Sequence, residues 1–208
     1  SPTSTILTRS GNLFEVGKSG QDNSAIHFTL SGTTVTGTNG LVKAWEKAEV
    51  SLFGLSVRGN ATTSIGPGFG ALIASAGSLE MIKSELIENT IGEHSLIQSD
   101  DTVMRDCVVD FNRFGGSDNG LRFGGQTLEI DSCDIGVGGG QIVSVAKHNY
   151  IANSLLKKST PGFYAALSLF NDVYLRNVTV LNSRIIKSAS NPIGDPSHLQ
   201  HAFGMLDI

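Results

Sequence analysis

Apolar and polar residues alternate at every second position in six segments of this chain, and the segments recur at similar distances. Each segment fits the pattern apolar-x-apolar-x-x-small-x-apolar, in which x is mostly polar. The segments begin at Val50, Leu79, Thr102, Leu128, Asn149 and Val173, at intervals of 29, 23, 26, 21 and 24 residues. A period of two is typical of β-strands, because successive side chains point to opposite faces. Recurrence at this distance predicts a solenoid of stacked repeats.

A second column of apolar residues keeps step with the first and adds another strand to each repeat. Its members are Leu72, Leu96, Leu121, Ile142 and Leu167, at intervals of 24, 25, 21 and 25 residues. A further segment begins at Phe28, 22 residues before Val50. We therefore predict an all-β fold, a right-handed parallel β-helix of about seven turns over residues 28–208, preceded by an entry or capping segment at 1–27.

Composition and charge narrow the class further. The chain has 25 glycines and 16% charged residues, which suits tight corners between short strands. Its net charge of −4 gives no basic surface for nucleic acid, and no apolar run has the length of a membrane span. The strand-like end at 203–208 has no cap, so we expect either that the chain is a piece of a longer protein or that a partner covers this end.

Particular segments carry three more expectations. The cysteines Cys107 and Cys133 hold the same repeat position and should be free, since stacked Cβ atoms about 4.8 Å apart exceed the disulfide spacing of about 3.8 Å. Glycines 136 and 138–140 should form a corner, because the run lacks the phosphate-loop pattern. The longest excursions, at 58–70, 110–120, 157–164 and 183–202, should lie along one face.

The repeat pattern over residues 28–180 resembles that of the pectate-lyase-like β-helix proteins, which include polysaccharide lyases, pectin-type glycoside hydrolases and bacteriophage tailspikes. The resemblance concerns the repeat and carries no catalytic motif. It implies a polysaccharide as partner, a location outside the cell or on a virion surface, and a homotrimer if the likeness extends to tailspikes.

Outward residues at one repeat position become neighbours on adjacent turns and predict a candidate site. Glu129 and Asp131 leave the same strand about 6.6 Å apart at the backbone, with Arg105 one turn below Asp131. Tyr150 and Tyr174 follow one and two turns above Glu129. Two carboxylates beside aromatic rings suit glycoside hydrolysis, in which one acts as acid and the other as base or nucleophile. We predict Glu129, Asp131 and Arg105 as catalytic.

Substrate binding is predicted for Tyr150, Tyr174 and Arg176. Lyase chemistry is an alternative, because Arg105 and Arg176 could neutralise a uronate while a tyrosine or His148 removed its proton. No cofactor motif is present, although Asp134 could join Glu129 and Asp131 as a Ca²⁺ ligand.

Two interpretations compete with catalysis. In the first, Arg105 and Asp131 form an ordinary surface ion pair and Glu129 is solvated. In the second, the chain is a non-catalytic structural or adhesion module. The outward apolar residues Phe53 and Ile82 favour this module, because something must cover them, either the chain's own loops or another subunit.

Overall fold

A computed structural model describes residues 4–62, 71–92, 95–114, 120–138, 140–157, 167–181 and 185–188. Throughout these ranges the secondary structure consists of β-strands with their connecting turns and contains no helix. Part of each predicted excursion, namely 63–70, 115–119, 158–164, 183–184 and 189–202, lies outside the described residues, so their predicted alignment along one face stays a prediction.

Twenty strands follow one another in the described ranges. They are β1 (Ser4–Val16), β2 (His27–Ser31), β3 (Thr34–Ala44), β4 (Glu49–Phe53), β5 (Ser56–Arg58), β6 (Ala61–Thr62), β7 (Ala71–Ile82), β8 (Glu85–Ile87), β9 (Thr90–Ile91), β10 (Ser95–Arg105), β11 (Val108–Asp110), β12 (Arg113–Phe114), β13 (Leu121–Phe123), β14 (Thr127–Asp131), β15 (Asp134–Gly136), β16 (Ile142–Ser144), β17 (His148–Lys157), β18 (Leu167–Phe170), β19 (Asp172–Leu181) and β20 (Ile185–Ser188).

The strands stack in parallel columns and form a β-solenoid. The first column contains β2, β4, the second halves of β7 and β10, then β14 and the first halves of β17 and β19. Its register joins Val50 to Leu79, Leu79 to Thr102 and Thr102 to Leu128, as the repeat predicts. Seven stacked strands bound about six coils, so the predicted parallel fold is confirmed. The right-handed sense, which such crossovers strongly favour, stays a prediction.

Two further columns of parallel strands complete the coils, and three of the coils also contribute a strand to a small separate sheet. The entry strand β1 pairs in parallel with β3, and β6, β9 and β12 form a separate three-stranded sheet. The predicted alignment of the second apolar column was wrong by one residue at one step, because Leu121 pairs with Ile97 and not with Leu96. Leu96 and Ile97 are both fully buried, so hydrophobicity alone does not distinguish them.

The apolar core runs along the axis of the stack. Leu52, Met81, Met104, Ile130 and Ile151, all from the first column, are at most 1% exposed. Cys107 and Cys133 are free and buried, as predicted.

Corners of the coil require left-handed backbone at repeated positions. After the first column these residues are Gly32, Gly54, Lys83, Asp106, Ser132, Asn153 and Asn177, all with positive φ. The glycine run behaves only partly as expected: Gly138 has φ 52° and turns the chain, whereas Gly136 ends strand β15.

A ladder of buried asparagines joins three successive coils. Asn60, Asn89 and Asn112 stand ten residues after the first core residue of their segments and are at most 5% exposed. Asn89 Oδ1 accepts hydrogen bonds from the backbone N–H and side-chain amide of Asn60, and Asn112 Oδ1 accepts the same pair from Asn89. Each side-chain amide also donates to a backbone carbonyl. The ladder thus satisfies polar groups that the corners would otherwise bury without partners.

Candidate functional site

The outward face of the first strand column, here called the tyrosine face, carries all six predicted site residues. The parallel register places Asp131 beside Arg105, Tyr150 beside Glu129, and Tyr174 beside Tyr150. Arg176 stands beside Ala152 on the last of these strands. Sequence spacing therefore identifies which residues are neighbours, because the strands stack without a bulge here.

The side-chain pairing of Arg105 differs from the expected surface ion pair. Arg105 donates from Nε and Nη2 to Glu129 Oε1, at 2.9 and 2.7 Å, and not to its register partner Asp131. The longer glutamate side chain reaches the guanidinium diagonally, while Asp131 is engaged elsewhere. The hydrogen bond to Glu129 raises the pKa of Arg105, so the arginine keeps its charge. Both side chains are partly exposed, and solvent-exposed pairs of this kind contribute little to stability.

Asp131 ends a chain of hydrogen bonds that crosses three coils. Its Oδ1 accepts a hydrogen bond from Asn153 Nδ2 at 2.8 Å, and Asn153 Oδ1 accepts one from Asn177 Nδ2 at 3.1 Å. Both asparagines occupy left-handed corner positions, which this residue type tolerates better than most. The two carboxylates of β14 are thus both hydrogen-bonded within the protein.

Tyr150 and Tyr174 form a stacked pair. Their ring centroids are 4.8 Å apart with an interplanar angle of 10°, and the residues are 42% and 54% exposed. The ring faces that meet each other are occupied. The remaining exposed aromatic surface lies beside polar groups on the outward face of the parallel sheet.

His148 lies at the end of this aromatic row. It begins strand β17, its Nδ1 lies 3.0 Å from Asp172 Oδ2 of the next coil, and its ring is 6.5 Å from that of Tyr150. The pairing with Asp172 was not predicted, although both residues immediately precede the first core residue of their segments. Writing that position as a column of its own would have found the pair.

The predicted calcium ligands are divided between two columns. Asp134 lies in β15, beyond the corner, and its carboxylate contacts Lys157 Nζ at 2.9 Å. Lys157 also contacts Asp110 Oδ2 at 2.7 Å. Among the residues that the structure describes, no group of three or more His, Cys, Asp or Glu side chains is arranged to hold a metal ion.

Fold and face together define a parallel β-solenoid protein with a polar and aromatic outward surface. Comparison of the chain with protein-family models, with curated proteins and with solved structures found no match. Within the described part of the chain, no helix has the length and apolar character needed to cross a membrane.

Proposed function

We propose that this protein binds an extended polysaccharide along the tyrosine face. The observation that supports this function best is the half-exposed pair Tyr150 and Tyr174 on a surface that also carries Arg176 and Asp131. A sugar ring presents apolar C–H groups on its faces and hydroxyl groups at its rim. Aromatic surface beside hydrogen-bonding groups complements both parts.

The charges of the face favour a neutral polysaccharide over a polyuronate. Carboxylates outnumber arginines on the first column, whose charged outward residues include Glu49, Glu80, Glu129, Asp131 and Asp172 against Arg105 and Arg176. Arg105 is already paired with Glu129. A polyanion would meet net repulsion here, which weakens with salt.

Hydrolysis by Glu129 and Asp131 is a second candidate, favoured by their position on the single strand β14. Glu129 Oε1 accepts two hydrogen bonds from the Arg105 guanidinium, which leaves only Oε2 available to a substrate. We therefore assign binding to the face and treat cleavage as the reaction to be tested.

The competing structural or adhesion module makes a different prediction for the same face. Phe53 is 48% exposed, lies four coils from Tyr150 and holds the outward position that Ile82 holds on the next strand. If this face served self-association, substitution of Phe53 would weaken the association and substitution of the tyrosines would not.

The deciding experiment compares Tyr174→Ala with Phe53→Ala, a matched loss of an exposed ring on the same face. Affinity electrophoresis of the purified chain in gels containing neutral or uronate polysaccharides measures binding. We expect Tyr174→Ala to weaken binding of a neutral polysaccharide about fivefold, the size of one aromatic contact of about 1 kcal/mol, and Phe53→Ala to leave it unchanged.

The same incubations are read for new reducing ends and for the ultraviolet absorbance of an unsaturated uronate. Reducing ends that vanish in Glu129→Gln would establish hydrolysis, and the uronate signal would establish a lyase. A folded protein that binds none of the polymers, together with a sedimentation shift in Phe53→Ala, would replace the proposal with the structural module.

A further inference from the structure

Phe111, another exposed aromatic residue, stands at a corner where the fold favours glycine. The corner before the asparagine ladder requires positive φ on each coil, and its residues are Gly59 (φ 61°), Glu88 (φ 57°) and Phe111 (φ 54°). Left-handed backbone carries no penalty for glycine but is an outlier for a bulky side chain. The geometry of the corner therefore gives no reason for a phenylalanine.

Burial gives no reason for it either. Phe111 is 74% exposed, the largest exposure among the large apolar side chains that the structure describes. Its ring gains little from the core while its backbone adopts an unfavourable conformation. A residue that opposes stability in both ways points to a contact outside the chain.

Neighbouring residues hold the Phe111 backbone in place. Asp110 Oδ1 accepts the backbone N–H of Phe111 at 2.8 Å, and Asp110 Oδ2 contacts Lys157 Nζ at 2.7 Å. Lys157 reaches Asp110 from two coils away, across Gly136, which has no side chain to obstruct it. The Asp110 and Lys157 side chains are only 20% and 29% exposed. The backbone that carries the aromatic ring is thus held before any ligand arrives, which lowers the entropy cost of binding.

Phe111 borders an open groove of about 560 Å³ lined by Glu88, Thr90, Phe111, Asn112 and Arg113. Thr90 and Arg113 are paired neighbours in β9 and β12. The Asn112 side chain is committed to the ladder, so the groups left for a ligand are an aromatic ring, a guanidinium, a carboxylate and a hydroxyl.

We propose that this groove binds a single uncharged pyranose unit, with one sugar face on the Phe111 ring and hydroxyl groups at Arg113 and Glu88. An anion would face Glu88, a cation would face Arg113, and a purely apolar ligand would desolvate both charges without replacing their hydrogen bonds. A neutral ring with hydroxyl groups matches donor, acceptor and aromatic surface together. This site lies at a corner of the coil and not on the tyrosine face, and the proposal does not depend on that face.

The test uses methyl glycosides of glucose, galactose and mannose as probes, titrated into the ¹⁵N-labelled full chain and followed by amide chemical shifts. We expect at least one pyranoside to shift the amides of Thr90, Phe111 and Arg113. Phe111→Gly should weaken that binding at least tenfold while its urea midpoint stays the same or rises. Val145→Ala, which shortens a 56% exposed apolar side chain elsewhere, should change neither property.

Lys157→Met tests the positioning role separately, through the Phe111 amide shift of the free protein. We expect that shift to move and the affinity to fall, with the groove residues otherwise folded. The inference is overturned if no pyranoside shifts the groove amides, if Phe111→Gly binds as well as the wild type, or if Phe111→Gly lowers the urea midpoint, since the ring would then serve the fold. Tyr174→Ala should leave this titration unchanged, so failure of the tyrosine face and failure of the groove are distinguishable.

Discussion

Replacement of Asn89 by alanine should destabilise the solenoid more than any surface substitution in it. Asn89 occupies the middle of the asparagine ladder and is fully buried. Its side chain makes four hydrogen bonds: Oδ1 accepts two from Asn60, and Nδ2 donates to Val57 O and to Asn112 Oδ1.

The expected loss follows from this count. A typical buried hydrogen bond contributes about 1 kcal/mol net, so removing four predicts a loss of about 4 kcal/mol in the free energy of unfolding. Asn112→Ala removes three side-chain bonds, because Oδ1 accepts two and Nδ2 donates one to Leu86 O, and should lose about 3 kcal/mol.

Equilibrium unfolding in urea, followed by far-ultraviolet circular dichroism, measures both losses if the slope of the transition is unchanged. Asn177→Gly is the matched control: it removes one exposed side-chain hydrogen bond and keeps a residue suited to φ 52°. We expect it to lose less than about 1 kcal/mol. If Asn89→Ala were no less stable than Asn177→Gly, the ladder would not be a stabilising element and the reasoning would fail.

Three further predictions concern contacts between coils. A Cβ at residue 136 would collide with Asp110 Oδ1, so Gly136→Ala should lower the free energy of unfolding by about 1–3 kcal/mol in the same urea assay, and an unchanged transition would contradict this. Hydrogen bonds from Ser56 and then Arg58 lower the pKa of Glu85 below 4.5. The folded protein is therefore stabilised above pH 4.5 and loses this stabilisation as the pH falls through the folded pKa, so Glu85→Gln should reduce the acid-side dependence of the free energy of unfolding on pH by under about 1 kcal/mol. An unchanged pH dependence on the acid side would contradict this. The hydrogen bond with Cys107 and burial raise the pKa of Cys133, and both thiols are at most 3% exposed. A thiol reagent should therefore label neither cysteine in the native protein and both in urea, and labelling of the native protein within minutes would contradict this.

The sequence predicts the fold well because a solenoid converts spacing directly into contact. Once the first column is aligned at Val50, Leu79 and Thr102, the parallel register follows for every outward neighbour on the same strands. The asparagine ladder was available from the same alignment, since its members recur at 29 and 23 residues, the intervals of their segments. It was missed because only alternating apolar positions were aligned and the corner residues were not.

Side-chain partners are less predictable than strand partners. Register places Arg105 beside Asp131, yet the guanidinium pairs with Glu129 because side-chain length and the competing amide of Asn153 decide the contact. Lys157 contacts a residue two coils away because Gly136 leaves space. Such diagonal contacts depend on side-chain rotamers and on the space left by glycines, and an alignment of repeat positions does not encode either.

The asparagine ladder spans only part of the stack, and this connects stability with the tyrosine face. The asparagine ladder runs from Asn60 to Asn112, and the next equivalent position holds Gly138. Beyond that point the coils are joined at the surface by the stacked tyrosines, by the Asn177 to Asp131 chain and by Lys157. In a stack whose stability is a sum over neighbouring interfaces, exposed contacts of this kind contribute less than buried ones. The tyrosine face lies in this half of the solenoid, whereas the groove residues Glu88 and Phe111 adjoin Asn89 and Asn112 of the ladder. A polysaccharide on Tyr150 and Tyr174 would bridge two coils beyond the ladder, so its binding and the local stabilisation of this half should be linked.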